Sequence, residues 1–296
     1  MEITASLVKE LRDKTGAGMM DCKKALMATE GDIALAVDWL REKGIAKAEK
    51  KASRVAAEGV AKIAIDGNKA VLFELNCETD FVANNEKFAN LVEAVASVLI
   101  ASDASTTEAA LELSVNGKTL KEMLLEAVSS IGENITLRNV QVIQKTDDQV
   151  FGHYSHMGGK IVSLAILNGG DQDTAKDISM HVAAMAPRFL QSSDISAEEL
   201  AHEREVLTKT ALNENAESEK PKPEAIIIKM IEGRLAKNMK EICLLYQPFV
   251  KNPDLTVEAY VSSKGGKVAA FKRLAVGEGI EKKEENFAEE VMAAVK

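Results

Sequence analysis

The sequence predicts an α+β fold: a small helical bundle, a core of two related hairpin-plus-helix subdomains, an inserted antiparallel helical hairpin and a C-terminal helix. Three observations carry this. Apolar residues recur at helical spacing through residues 1–45. Two strand–turn–strand segments, 60–76 and 150–168, are each followed by an amphipathic helical pattern. Two long helical patterns flank a polar turn that carries prolines at 221 and 223.

The bundle comes first. Ile3, Leu7, Val8 and Leu11 share a helix face, and the glycines of TGAG (15–18) end it. MMDCKKALMAT (19–29) predicts a second helix. Gly31 breaks again, Asp32 can cap, and Ile33, Ala36, Val37 and Leu40 give a third apolar face. The basic stretch KGIAKAEKKASR (43–54) reads as a solvated connector and hinge.

Strands follow at VAKIAI (60–65) and AVLFELN (70–76), with Asp66-Gly67 at a tight hairpin turn. Phe88, Leu91, Val92, Val95 and Leu99 define the next helix. Residues 119–131 predict another, stopped by Gly132, and ITLRNVQVIQ (135–144) alternates as a strand. The plan then recurs: strands at 150–156 and 161–168 around MGGK, with a helix over 174–187 ended by Pro187. Gly67 and Gly159 fall at the two turns, Asn76 and Asn168 at the ends of the second strands. Ser196 and Glu199 form a capping-box pattern for a helix over 196–214, and 225–242 returns as its partner. A strand (267–276) and a terminal helix (284–295) finish the chain.

The implied domains are a three-helix bundle (1–45), a basic connector (46–54), one core subdomain (55–145), a second core subdomain (146–190 and 243–276), the helical hairpin (191–242) and a C-terminal module (277–296).

Composition narrows the function. A net charge of −9 and 4% aromatic residues argue against direct nucleic-acid binding. The longest apolar runs are too short to span a bilayer, and no signal-peptide pattern opens the chain. Cys22, Cys77 and Cys243 are far apart, which suggests reduced thiols in a cytoplasmic protein. GAG (16–18) follows no strand and lacks the third glycine of a dinucleotide fingerprint. In HEREV (202–206) Val206 stands where a zinc-binding helix needs histidine. His153 and His156, three apart on a strand, face opposite ways and do not make a metal pair. His181 reads as a satisfied core residue. No nucleophile motif appears, so an enzyme with its own active site, and a cofactor to serve it, have no support.

Two features stand out instead. Adjacent Met19 and Met20 diverge on a helix and cannot both be buried by one face; they read either as core or as a partner contact. NCETDFVANNE (76–86) places Asp80 beside Phe81 at a strand-to-helix corner. Phe81 either staples the helix entry, with Thr79 or Asp80 as N-cap, or projects as an anchor for another protein's pocket.

ITASLVKELRDKTGAGMMDCKKAL (3–26) and NCETDFVA (76–83) closely resemble two signatures of the bacterial elongation factor Ts family. IGENI (131–135), MHVAA (180–184), EKPKPE (219–224), QPFV (247–250) and VGEGIEK (276–282) extend the resemblance along essentially the whole chain. It implies that the bundle is ubiquitin-associated-like. It implies a guanine-nucleotide exchange factor for elongation factor Tu that makes and breaks no covalent bond. Thr79, Asp80, Phe81 and Val82 would displace Mg²⁺ from the partner's nucleotide site. Arg12, Met19, Met20, His156 and Phe287 would be further partner contacts. The resemblance leaves open pairing through the helical hairpin, and a passive adaptor without exchange activity is the alternative.

Overall fold

The computed structural model describes residues 3–218 and 220–281. The described chain is a mixture of helices and strands that divides into two compact units. One comprises 3–144, 157–161 and 274–281; the other comprises Lys145–His156 and Val162–Arg273.

The first unit begins with α1 (Ala5–Thr15), α2 (Met19–Ala28) and α3 (Ile33–Lys51). Thr4 caps α1 by accepting the Leu7 amide, and Gly16 ends it in the left-handed region at φ 67°. The Asp32 carboxylate accepts the Leu35 amide at 3.0 Å and opens α3. Val8, Leu11, Cys22, Ala25, Leu26 and Ala36 close the bundle core. The basic stretch expected as a connector is helical instead, because α3 continues to Lys51. Its second half is held: Arg41 pairs with Glu122 at 2.6 Å, a Cβ on Gly44 would stand 2.9 Å from Ser129 Oγ, and Lys51 donates to Gly132 O. Lysine is a good helix former, so a run of lysines does not by itself break a helix.

β1 (Glu58–Asp66) and β2 (Lys69–Cys77) form an antiparallel hairpin, with Gly67 at φ 54° in its turn. After β2 come α4 (Asp80–Ala83), α5 (Glu86–Ile100), α6 (Thr107–Leu111), the two-residue ladder of β3 (Ser114–Val115) and β4 (Lys118–Thr119), α7 (Leu120–Ile131) and β5 (Thr136–Gln144). The sheet order is β1-β2-β5. Phe88, Val92, Val95 and Leu99 of α5 and Leu120, Leu124 and Val128 of α7 cover Val71, Phe73 and Leu75 of β2. Thr119 and Glu122 make a full capping box for α7, and Gly132 ends it at φ 96°. The short elements α4, α6 and β3–β4 lie in stretches that carry no periodicity long enough to read.

In the second unit β6 (Gln149–His156) and β7 (Ile161–Gly169) lead to α8 (Gln172–Met185), capped by Asp171 through the Thr174 amide. α9 (Ala197–Ala216) and α10 (Glu224–Ile242) form the helical hairpin around Leu207, Ala211, Ile227 and Ile231. Arg204 and Glu232, and Glu214 and Arg234, pair between the helices at 2.6 Å. Asn215 closes the turn by accepting the Lys222 amide at 2.6 Å. Only half of the expected capping box forms. Ser196 accepts the Glu199 amide, but the Glu199 carboxylate turns to Arg188 and to the Ser196 hydroxyl. β8 (Pro248–Phe249), β9 (Asn252–Thr256), α11 (Val257–Ser263) and β10 (Gly266–Ala275) follow, and the second three-stranded sheet has the order β10-β7-β6. The expected terminal helix lies outside the described residues.

Candidate functional site

The corner between β2 and α5 is built by backbone capping. Thr79 has extended backbone at φ −125°, and its hydroxyl oxygen accepts the Val82 amide at 3.3 Å, so it is the N-cap of α4. The Asn84 side chain donates to Asp80 O at 2.8 Å, and the Asn84 and Asn85 amides close the turn on Asp80 O and Val82 O. Asn85 then caps α5 through the Lys87 amide. Ala83 is buried, and the half-buried Val82 packs on the apolar core of the unit.

A loop distant in sequence holds this corner. One Glu133 oxygen accepts the Glu78 and Thr79 amides, both at 3.0 Å; the other accepts the Thr79 hydroxyl at 2.6 Å. The clasp is reciprocal, because Glu78 Oε1 accepts the Asn134 amide at 2.6 Å and lies 3.5 Å from Arg54. The Asn134 side chain donates to Arg54 O at 2.8 Å.

On this fixed backbone Phe81 is 85% exposed, so it does not staple the helix entry. Burying a phenylalanine is worth about 1.5–3 kcal/mol, which a corner this short does not recover from its own residues. Asp80 beside it is exposed as well. On the bundle Met19 and Met20 are 59% and 65% exposed, which decides against the core reading for both; Arg12 is exposed on α1. His156, in the second unit, is exposed and lies 3.2 Å from the Tyr154 hydroxyl through Nδ1. Phe287 lies outside the described residues.

Other candidates resolve into packing. His181 is fully buried; its Nδ1 accepts the Val250 amide at 3.1 Å, so its Nε2–H donates to Gln247 Oε1 at 2.8 Å. Burial depresses its pKa, partly opposed by the Gln247 bond, and the ring stays neutral. All three cysteines are buried, and desolvation pushes the Cys77 thiol up to about 12. Among the described residues no cluster of three His, Cys, Asp or Glu is placed to hold a metal, and no helix is long and apolar enough to cross a membrane.

A family profile, elongation factor TS, matches residues 78–278. The chain belongs to the elongation factor Ts family. The matched span opens on Glu78, so the exposed corner and its clasp fall inside it. Membership gives the chain a role as a translation elongation factor and implies elongation factor Tu as its partner. Sequence reasoning singled out Thr79, Asp80, Phe81 and Val82 but missed Glu133 and Asn134. Their only sequence signal is their place in IGENI, a segment that resembles the family.

Proposed function

We propose that this chain is a guanine-nucleotide exchange factor that acts on GDP-bound elongation factor Tu in the cytoplasm. The observation that carries this reading is a phenylalanine left 85% exposed on a backbone clasped from both sides. A GTPase holds its nucleotide through phosphate-loop amides, a lysine and a Mg²⁺ that bridges phosphate oxygens. An exchange factor need not touch the nucleotide; it stabilises a partner conformation in which those ligands are misplaced.

Phe81 inserts between packed elements of the partner, and its burial there supplies about 1.5–3 kcal/mol. Asp80 arrives beside it and brings negative charge toward the Mg²⁺ and phosphate site. Thr79 and Val82 act from behind, by holding the turn. Arg12, Met19, Met20, His156 and Phe287 add contact elsewhere. Each 1.36 kcal/mol of differential binding is worth about tenfold in release. Linkage makes the effect reciprocal: bound GDP weakens the chain's own affinity by the same factor. No cofactor, nucleic acid or membrane takes part, and no covalent bond changes.

The test is release of a fluorescent GDP from purified elongation factor Tu. Substoichiometric chain should accelerate release, and Phe81→Ala should lose most of that acceleration. Binding without acceleration would make the chain a passive adaptor. Equal acceleration by both forms would keep the activity and remove the wedge.

A further inference from the structure

We infer that Glu133 is a positioning residue for exchange: its carboxylate sets the backbone of the corner so that the Cα–Cβ bond of Phe81 is presented in one fixed direction. This rests on the exchange reading above and assigns a role to a residue whose bonds run to this chain's own corner.

The Glu78 and Thr79 amides lie ahead of α4, where the helix supplies no partner for them. The Thr79 hydroxyl oxygen already accepts the Val82 amide, so its own hydrogen needs an acceptor. Glu133 meets all three donors, two at 3.0 Å and one at 2.6 Å. An ionised carboxylate is the one side chain with two acceptor oxygens and no donor, and charge-assisted bonds of this kind are short and directional.

Stability alone is a poor reason for that choice. The corner already carries the carboxylates of Glu78 and Asp80, and Arg54 at 3.5 Å offsets only the first, so a third acid adds like charge beside Asp80. What the arrangement supplies is geometry. Phe81 is two residues beyond the clasped Thr79 and has no packing of its own to orient it. The point and direction from which its side chain leaves the surface are therefore inherited from the backbone that Glu133 and the Thr79 cap define. Asn134, next in the chain, gives its amide to Glu78, so the two loops cannot slide past each other without breaking both grips.

The experiment crosses Glu133→Ala and Glu133→Gln with Phe81 and with Phe81→Ala, and reads GDP release against chain concentration. Thermal melts report folding, and amide hydrogen exchange follows residues 78 and 79. With Phe81 present, Glu133→Ala should lower the maximal release rate roughly ten- to hundredfold, the scale of a misplacement of about 1 Å. In the Phe81→Ala background the same change should cost less than about twofold, since residues that act as one unit are not additive. The Glu78 and Thr79 amides should lose protection, and Glu133→Gln, which keeps one acceptor oxygen, should restore part of both effects.

An equal loss in both backgrounds overturns the inference. So does an undiminished release rate in a folded variant whose two amides are unprotected. If Glu133→Ala fails to fold, Glu133→Gln carries the same comparison. If the unmodified chain does not accelerate release at all, the exchange reading falls and takes this role with it. Loss of amide protection in Glu133→Ala would then still report the clasp by itself.

Discussion

After β2 the chain uses residues 78–85 to reach α5, inserts the single turn of α4 and leaves Phe81 exposed. After β7 it crosses to α8 through Gly170 and Asp171 alone. The helices differ as well. α5 buries Phe88, Val92, Val95, Ala96 and Leu99, whereas α8 buries Thr174, Ser179 and His181 beside its apolar residues. Ser179 and Ser163 exchange hydrogen bonds at 2.6 and 2.8 Å across that second interface. The strand ends diverge too. Asn76 is buried and donates to Glu74 at 3.1 Å, while the exposed Asn168 accepts from Gln149 at 2.7 Å. One plan, a hairpin followed by a helix, thus serves two ends. The first packs an apolar helix face, keeps its buried polar groups Glu74 and Asn76 on β2 and spends its irregularity on an exposed tip; the second keeps a short turn and places polar groups on the buried face of its helix.

The largest expected effect falls on the second copy. A Cβ on Gly152 of β6 would stand 2.0 Å from the Ala175 carbonyl carbon of α8. Gly152→Ala should therefore destabilise the fold by about 3 kcal/mol, the upper part of the range for overpacking, read as a shift of the urea midpoint. A neutral result would mean that α8 can lift off its sheet at little cost.

Phe81→Ala is the converse. Its effect on stability should stay within about 0.5 kcal/mol, as for other exposed sites, while GDP release falls roughly tenfold or more, equivalent to about 1.4 kcal/mol or more. A large loss of stability would mean that the tip is packed in solution and would erase the contrast between the corners.

Thr79→Val removes the α4 cap and one Glu133 bond with little change of shape. It should cost about 1 kcal/mol and slow release as well. A loss of stability with full exchange activity would separate the cap from the function.

The smallest effect is one of pH. His181 is neutral in the fold, and burial holds its pKa below the ordinary 6.5. The unfolded chain therefore binds the extra proton first as the solution is acidified. The stabilisation is complete above pH 6.5 and is lost as pH falls from there toward the depressed folded value. Asp171 has a depressed pKa from its bond with the Thr174 amide, so its contribution is lost at lower pH, below the ordinary 3.8. The melting temperature should decline below pH 6.5, and His181→Gln should flatten that first decline. An unchanged slope would place the responsible group elsewhere.

The sequence by itself determined the long elements, because burial on one face writes a period into the chain. The bundle helices, both hairpins, α5, α7, α8 and the α9–α10 pair are visible this way, as are the glycine stops at 16 and 132 that need positive φ. It also showed that a phenylalanine stood at a corner, and the resemblance implied a role for it at a partner's nucleotide site. It did not show that the basic stretch after Gly44 is helix, because that segment is held by what it packs on, Ala48 in the core and Lys51 on the Gly132 carbonyl, and not marked by an apolar pattern of its own. Nor did it show the fate of Phe81. A staple and a projecting tip have the same residues; they differ only in whether the local backbone brings an apolar partner within reach. That backbone is set by Glu133 and Asn134, more than 50 positions away, through bonds to main-chain amides that leave no periodic trace in either segment. Only the tertiary structure, by bringing the loop before β5 against the end of β2, could decide that Phe81 points outward.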